Sequence, residues 1–439
     1  MNFHLSTFGT KSLQASPVNA MTAAFSHDFR EGIDINLGVG YVNDETIPQE
    51  KLLACFAQVL QQPQVYRNPL NYGAAEGSRN LQAAITQYYS NNGILHKADF
   101  ENKNIIIGAN GATSILDALA DVLPQGIVIT ADPFYYIYTE TLERKGFTIL
   151  AIPEDEEGID VNMLREKLQN VDIQNISFFY IVTINNPSTT QTSNARKREI
   201  VQLATELSKQ RATIIPVVFD KAYEDLIYDP QSEIPQSALL LDELQVVVEV
   251  GTLSKIIAPA LRIGYAITHR SDLSAALIQR MSDIGFSAPL INQEIAACFL
   301  QQYMHAHRAQ VLEIYRNKAK FICDLIRTHL AEYVEDCVGG KASFYMYLTA
   351  KNVETHTKSD FYKFLSRTTG VAEIDGFSEK NPRLIYIPGE MCVHKQGFMT
   401  EKGGRQLRIS FGFEQNATIE RAIFLLRDAF VYASQIRHR

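Results

Sequence analysis

The segment VVVEVGTLSKIIAPALRIGYAIT, residues 246–268, contains two apolar, β-branched runs separated by a short turn with polar residues. Similar runs recur along the chain, at 104–107, 126–130, 147–152, 177–183, 213–219, 246–250 and 263–268. Each run is apolar almost throughout, which is typical of strands that crossover helices bury on both faces. Helical stretches such as 195–210 lie between several of them. The alternation predicts an α/β fold with a mainly parallel, seven-stranded, doubly wound sheet.

The length of the chain indicates more than one domain. Its 439 residues exceed what one ordinary hydrophobic core needs. A long helical pattern at 301–330 follows the predicted sheet, and strand-like runs at 343–348 and 406–411 then alternate with helical patterns at 358–368 and 419–434. We therefore predict a large domain at 61–300 and a smaller α+β domain that combines 1–60 with 301–439.

Composition and charge exclude several classes of protein. Hydrophobic residues make up 46% of the chain and charged residues 21%, so we expect a folded core. The net charge of -8 disfavours binding to nucleic acid. We expect neither a membrane span nor a secretory signal, because no long apolar run occurs and residues 1–14 are polar. The five cysteines are scattered without a C-x-x-C, which predicts no metal site and a reducing, cytoplasmic location.

Four polar clusters follow predicted strands, at the sheet edge where open α/β folds bind ligands. They are Gly108-Ala109-Asn110-Gly111-Ala112-Thr113, Asn185-Asn186-Pro187-Ser188-Thr189, Asp220-Lys221-Ala222-Tyr223 and Thr252-Leu253-Ser254-Lys255. The first cluster precedes a predicted helix, whose N-terminal N–H groups could bind a phosphate. A tight turn capped by Thr113 explains the same pattern. Asn186 could donate to a phenolate oxygen, or it could simply belong to an Asn-Pro turn.

The other two clusters contain an acid and a lysine that suit one cofactor. Asp220 directly follows a very apolar strand, where a carboxylate is costly unless it is paired. A protonated pyridine nitrogen would be a suitable partner, although an aspartate at a helix N-terminus is the simpler explanation. Lys255 could form an imine with an aldehyde, or it could be a solvated surface lysine. The hydroxyls of Thr252 and Ser254, with the Arg262 guanidinium, could bind a phosphate.

The order of these clusters resembles the class I and II aminotransferases, which are pyridoxal-phosphate enzymes of fold type I. The family signature S-x-S-K-x-x-x-P-G-x-R-x-G is matched along residues 252–264, with Ala260 in place of its glycine. Its N-P-T-G turn is matched only in part, since Thr189 follows Pro187-Ser188. Further matches lie at Asn36–Gly40, Tyr72 with Gly77 and Leu81, Asp132–Tyr135, Asp220 with Tyr223, and Arg408–Phe411. The resemblance covers nearly the whole chain.

The resemblance implies pyridoxal 5′-phosphate as cofactor and a role for each matched residue. Lys255 would hold the cofactor as a Schiff base and move the substrate Cα proton, while Asp220 would pair with the pyridine nitrogen. Tyr223 and Asn186 would contact the ring hydroxyl, and Tyr135 would stack on the ring. The phosphate group would be held by Gly111, Ala112, Thr113, Thr252, Ser254 and Arg262.

The resemblance also implies the substrates and the oligomeric state. Arg408, with Gly40 and Asn186, would bind the α-carboxylate of an L-amino acid, and a 2-oxo acid would accept the amino group. Tyr72 would reach the phosphate in the neighbouring subunit of a homodimer. At the two departures from the family motifs, Thr189 and Ala260, the sequence does not determine the local backbone conformation.

Two other functions remain compatible with the motifs. A pyridoxal-phosphate lyase or decarboxylase uses the same cofactor residues. A transcription regulator with an aminotransferase-like domain is disfavoured, because about thirty-five residues precede Asn36 and the charge is acidic. For the pocket that binds the substrate side chain, the sequence offers two alternative sets of residues. A second cation could come from Arg30, Arg67, Lys341 or Arg383, and an apolar wall could come from Tyr66, Phe286 or Tyr345. From its position alone, the segment 1–26 could form a lid.

Overall fold

The computed structural model describes residues 3–376 and 381–437, and a sheet of eight strands lies at its centre. In spatial order the strands are Lys103–Ile107, Gly264–His269, Val247–Thr252, Val217–Asp220, Ile176–Val182, Ile127–Asp132, Thr148–Asp155 and Gly158–Ile159. Gly264–His269 is antiparallel to both of its neighbours, and Gly158–Ile159 is antiparallel to the preceding strand. The remaining pairs are parallel. The predicted α/β class and mainly parallel sheet are confirmed.

All seven predicted runs form strands of this sheet, with two differences in detail. The eighth strand, Gly158–Ile159, is a two-residue hairpin partner that carries no recognisable apolar run. The run at 213–219 forms a strand only from Val217 to Asp220. Pro216 has no N–H to donate to the sheet, although its carbonyl accepts from the Phe179 N–H.

Helices cover both faces of the sheet, which explains why the strands are apolar throughout. Phe178 and Tyr180 pack in one hydrophobic cluster and their neighbours Phe179 and Ile181 in another. Around this sheet the helices are Gln49–Gln61, Arg79–Asn91, Gly111–Val122, Tyr136–Lys145, Val161–Leu168, Asn194–Arg211, Asp272–Gly285 and Leu290–Gln302. Among the residues described, no helix is long and apolar enough to cross a membrane.

The long helix Met304–His329 leads to a second, smaller sheet. Its four strands, all antiparallel, are Val334–Gly339, Tyr345–Ala350, Gln406–Ser410 and Ile387–Pro388 in spatial order. The helices here are Asp360–Ser366, Ala372–Asp375, Thr400–Gly403 and Asn416–Arg437, and the N-terminal helices are Thr7–Lys11 and Pro17–Ser26. Ile35–Asn36 pairs in parallel with Leu384–Ile385, so the N-terminal segment lies with the C-terminal part. The domain limits at 61 and 300 stay a prediction.

Candidate active site

A cavity of about 330 Å³ lies at the carboxyl ends of the central strands. Strands Val217–Asp220 and Val247–Thr252 are parallel neighbours, so their last residues open onto the same edge. The residues predicted from the sequence that line this cavity are Gly40, Ala112, Thr113, Tyr135, Asn186, Asp220, Tyr223, Thr252, Ser254, Lys255, Arg262 and Arg408. Gly111 lies against its wall, because a Cβ there would be 2.9 Å from Arg262 Nη2. Tyr72 does not line it and is 79% exposed.

Asp220 ends its strand as a buried carboxylate that bonds to no cation among the residues the structure describes. The Tyr180 hydroxyl donates to its Oδ2 at 2.8 Å, and the Ala222 N–H donates to its Oδ1 at 3.0 Å. Burial raises the pKa of Asp220 to about 6, although these two hydrogen bonds and the charge of Lys255 act in the opposite direction. The carboxylate therefore suits a cationic ring nitrogen in the cavity, which would compensate its charge.

Lys255 projects into the same cavity from the turn that follows Val247–Thr252. Its Nζ donates to the carbonyl of Gly40 at 3.2 Å, and lies 5.9 Å from the ring centre of Tyr223 and 5.8 Å from that of Phe344. The lysine is half-buried among aromatic rings and is not a solvated surface residue. An amine in this position can reach an aldehyde bound in the cavity.

The helix Gly111–Val122 begins at the other end of the cavity. The side chain of Asn110, which precedes it, makes no capping hydrogen bond to the helix. Instead Asn110 Oδ1 accepts from Arg262 Nε at 2.8 Å, which holds the guanidinium beside the first turn. The Thr252 and Ser254 hydroxyls lie 3.0 Å apart at the same place. Uncapped N–H groups, a guanidinium and two hydroxyls make a suitable phosphate site.

Close backbone packing forms this end of the site. A Cβ at Gly264 would lie 2.0 Å from the backbone nitrogen of Ala112, so the strand can approach the helix only with glycine there. Gly111 itself has a φ of 68°, which favours glycine. The motif glycines thus bring Arg262 and the helix N-terminus together.

Arg408 lies at the opposite wall as a buried cation. Its Nη1 donates to Asn186 Oδ1 at 2.7 Å and its Nη2 to the carbonyl of Gly38, while its Nε is buried without a hydrogen-bond partner. Tyr345 covers the guanidinium, with its ring centre 4.3 Å from Cζ. Within the described ranges, no carboxylate forms an ion pair with Arg408. The guanidinium is available to the carboxylate of a bound substrate.

The contact with Arg408 also fixes the orientation of the Asn186 amide. A guanidinium only donates, so the amide oxygen must face it and the amide NH₂ must point elsewhere. Asn186 lines the cavity, and its NH₂ can therefore donate to a phenolate oxygen there.

The two departures from the family motifs have structural explanations. Thr189 adopts a φ of 61°, the left-handed conformation that glycine would take more easily. Its N–H donates to the Asn185 carbonyl at 2.8 Å, and the neighbouring Ser188 hydroxyl donates to Glu154 at 2.6 Å. Ala260 lies in the short helix Pro259–Leu261 and has no positive φ. Thr189 thus takes the left-handed conformation without a glycine, and Ala260 does not need it.

Several residues around the cavity were not assigned roles from the sequence. Tyr180 interrupts the apolar run of its strand, and a buried tyrosine hydroxyl needs a partner, which was the available signal. Among the candidates for a side-chain pocket, Tyr345 lines the cavity, whereas Tyr66 is in the core and Phe286 is exposed. The candidate second cations do not line it: Arg30, Arg67, Lys341 and Arg383. Three or more potential metal ligands cluster nowhere in the described part of the chain.

Known proteins match most of this chain. The family model described as aminotransferase class I and II matches residues 33–383. Aromatic-amino-acid aminotransferase 1 of Thermococcus litoralis is 25% identical over 311 residues, 69% of this chain and 70% of that protein. The uncharacterized HTH-type transcriptional regulator YisV of Bacillus subtilis is 25% identical over 366 residues, 80% of this chain and 69% of that protein. The solved structure of a multiple substrate aminotransferase from Thermococcus profundus has a TM-score of 0.82 at 20% identity, with 98% of both chains covered. This structural similarity shows a shared fold.

Proposed function

The chain belongs to the class I and II aminotransferase family, and we propose that it moves an amino group from an L-amino acid to a 2-oxo acid with pyridoxal 5′-phosphate as cofactor. One observation carries the proposal. Lys255, Asp220 and Arg408 line one cavity. The lysine is half-buried, and within residues 3–376 and 381–437 the buried acid bonds to no cation and the buried arginine to no carboxylate. Each of the three lacks the kind of partner that the cofactor or the substrate would supply.

The residues of the phosphate end and of the ring end would hold the cofactor. Gly111, Ala112, Thr113, Thr252, Ser254 and Arg262 would bind the phosphate group. Tyr135 would stack on the ring, and Tyr223 and Asn186 would donate to its hydroxyl oxygen. When bound, the cofactor supplies an aldehyde carbon and a cationic ring that withdraws electrons from the substrate Cα. Asp220 keeps the proton on the ring nitrogen, because its own charge is costly without that cation.

Lys255 would be the group that moves protons. Its Nζ would hold the cofactor through the aldehyde carbon, and as a free amine it would accept the proton from the substrate Cα. Arg408 holds the α-carboxylate in a fork, so that Cα faces this amine. The Gly40 backbone lies beside the Lys255 amine, because its carbonyl accepts a hydrogen bond from Nζ at 3.2 Å. A second substrate takes the amino group in the reverse sequence, which predicts ping-pong kinetics.

The proposal includes a homodimer in a reducing cytoplasm. Tyr72 is exposed beside the Phe286 ring, with ring centres 5.3 Å apart, and would complete the phosphate site of a second copy. Other large apolar side chains from the preceding stretch of sequence are also exposed and would be covered by the second copy: Leu53, Phe56, Leu60, Val65 and Leu70. The five free cysteines support a reducing location.

Lys255→Ala tests the assignment directly, with Lys97→Ala as the control at an exposed lysine. We expect Lys255→Ala to lose both the visible absorption band of the bound cofactor and nearly all 2-oxo acid formation, while Lys97→Ala keeps both. A Lys255→Ala protein with the normal band and turnover would refute the proposal. Product formation that does not require an amino acceptor would indicate a lyase or decarboxylase, and cofactor binding without turnover would indicate a regulator.

A further inference from the structure

Tyr345 touches both halves of the candidate site. It is the first residue of strand Tyr345–Ala350 and is 1% exposed. Its hydroxyl lies 2.9 Å from the Tyr223 hydroxyl, and its ring centre lies 4.3 Å from Cζ of Arg408. A Cβ at Gly40 would lie 2.2 Å from the Tyr345 hydroxyl oxygen, so Gly40 leaves the space that this hydroxyl fills. One side chain thus connects the residue proposed for the cofactor ring with the residue proposed for the substrate carboxylate.

Either tyrosine could be the donor in the hydrogen bond between Tyr223 and Tyr345, and the number of phenol protons decides which one it is. Each phenol has one proton. If Tyr223 donates its proton to a ring oxygen in the cavity, it can only accept from Tyr345. Arg408 does not compete as an acceptor, since a guanidinium only donates. Tyr345 must therefore be the donor whenever Tyr223 donates into the cavity.

We propose that Tyr345 is a positioning residue whose hydroxyl donates to the Tyr223 oxygen, so that Tyr223 presents its own proton to the ring oxygen of the bound cofactor. The inference rests on the proposed function. A hydrogen bond accepted by Tyr223 strengthens the bond that it donates, because bonds in a chain polarise one another. The low-dielectric surroundings favour this, since both hydroxyls are buried.

The consequence is a change in the acidity of the Lys255 nitrogen when it is bonded to the cofactor. A donor to the ring oxygen withdraws negative charge that otherwise holds the proton on that nitrogen. A weaker Tyr223 bond should therefore move the loss of this proton to higher pH. The other charged or titratable groups near Tyr223 are Tyr135, Asp220, Lys255 and Arg408, and all of them remain in the test variants.

The test is a pH titration of the visible absorption band in reconstituted enzyme. Tyr345→Phe removes only the hydroxyl. Tyr347→Phe is the matched control, because Tyr347 is on the same strand as Tyr345 and its buried hydroxyl donates instead to Gln406 Oε1 at 3.0 Å. We expect Tyr345→Phe to raise the midpoint by about half to one pH unit, as the loss of one hydrogen bond implies. Tyr345→Met should also raise the midpoint, and Tyr347→Phe should leave the midpoint unchanged.

The double variant separates this role from a general structural effect. With Tyr223→Phe already present, Tyr345→Phe should add little further shift, because its acceptor is gone. A normal band with an unmoved midpoint in Tyr345→Phe would overturn the inference alone, as would a full additional shift in the double variant. Absence of the band in the unmodified protein would instead overturn the proposed function and the inference with it.

Discussion

Replacing Asp220 with asparagine should stabilise the cofactor-free protein while it damages cofactor-dependent activity. The Asp220 carboxylate is buried and accepts from Tyr180 and Ala222, neither of which is a cation. An asparagine keeps both contacts, since its oxygen can accept from the Ala222 N–H and its NH₂ can donate to the Tyr180 hydroxyl. The substitution therefore removes a buried charge, but it leaves the Tyr180 hydroxyl proton without the carboxylate that accepts it now, at a cost of about 1 kcal/mol.

The magnitude follows from the pKa of Asp220, which burial raises from 3.8 to about 6. In this window the folded protein binds the proton more tightly than the unfolded chain, so stability falls as pH rises. The difference of roughly two pKa units corresponds to about 3 kcal/mol, lost in full above the folded pKa. After about 1 kcal/mol is subtracted for the Tyr180 proton, Asp220→Asn should be more stable by about 2 kcal/mol near pH 7.5 and about equally stable near pH 4.5.

Urea unfolding of the cofactor-free proteins at both pH values measures this difference. Far-UV circular dichroism is the appropriate signal, because the chain has no tryptophan. Glu101→Gln, at an exposed carboxylate, serves as the control and should change little at either pH. With cofactor bound, the advantage of Asp220→Asn should shrink or reverse, because the carboxylate then has its cation. The reasoning is refuted if the asparagine variant is less stable near pH 7.5, or if its advantage does not shrink with falling pH.

Three further substitutions test other parts of the site. Arg408→Lys should reduce kcat/KM about 100-fold, mainly through KM, because a lysine cannot form the fork; an unchanged KM for the amino donor would contradict this. Gly264→Ala should abolish retention of the cofactor on gel filtration, because its Cβ would overlap the backbone of Ala112; normal retention would show that the strand can move away. Thr189→Gly should keep activity and change the unfolding free energy by less than about 1 kcal/mol, because relief of the left-handed φ is offset by glycine entropy. Lost turnover there would show that the threonine side chain is required.

The sheet could be predicted because its strands are buried on both faces. Runs such as 176–182 are apolar at every position, and the two faces pack in separate clusters, so the pattern needs no alternation. The hairpin partner Gly158–Ile159 could not be predicted, since two residues carry no period. The start of the Val217–Asp220 strand was predicted four residues too early because the apolar run continues through Pro216.

The sequence predicts which residues lie at the strand ends that form the site. It does not predict which side chains contact one another there. Asp220 ends one strand and Lys255 follows the neighbouring one, so parallel pairing alone brings them to one edge. The pairing of Arg408 with Asn186 joins residues 222 positions apart, a strand of the small sheet and the turn after strand Ile176–Val182. Tyr345 likewise lies beside Tyr223, 122 positions away, and no local pattern encodes either contact.

Chemical labelling can identify directly the lysine that binds the cofactor. The protein is incubated with an equimolar amount of pyridoxal phosphate, reduced with borohydride to fix the bond, digested and mapped by mass spectrometry. We expect a phosphopyridoxyl label on Lys255, the lysine that lines the cavity with Asp220. A label on another lysine, with Lys255 unmodified, would contradict it.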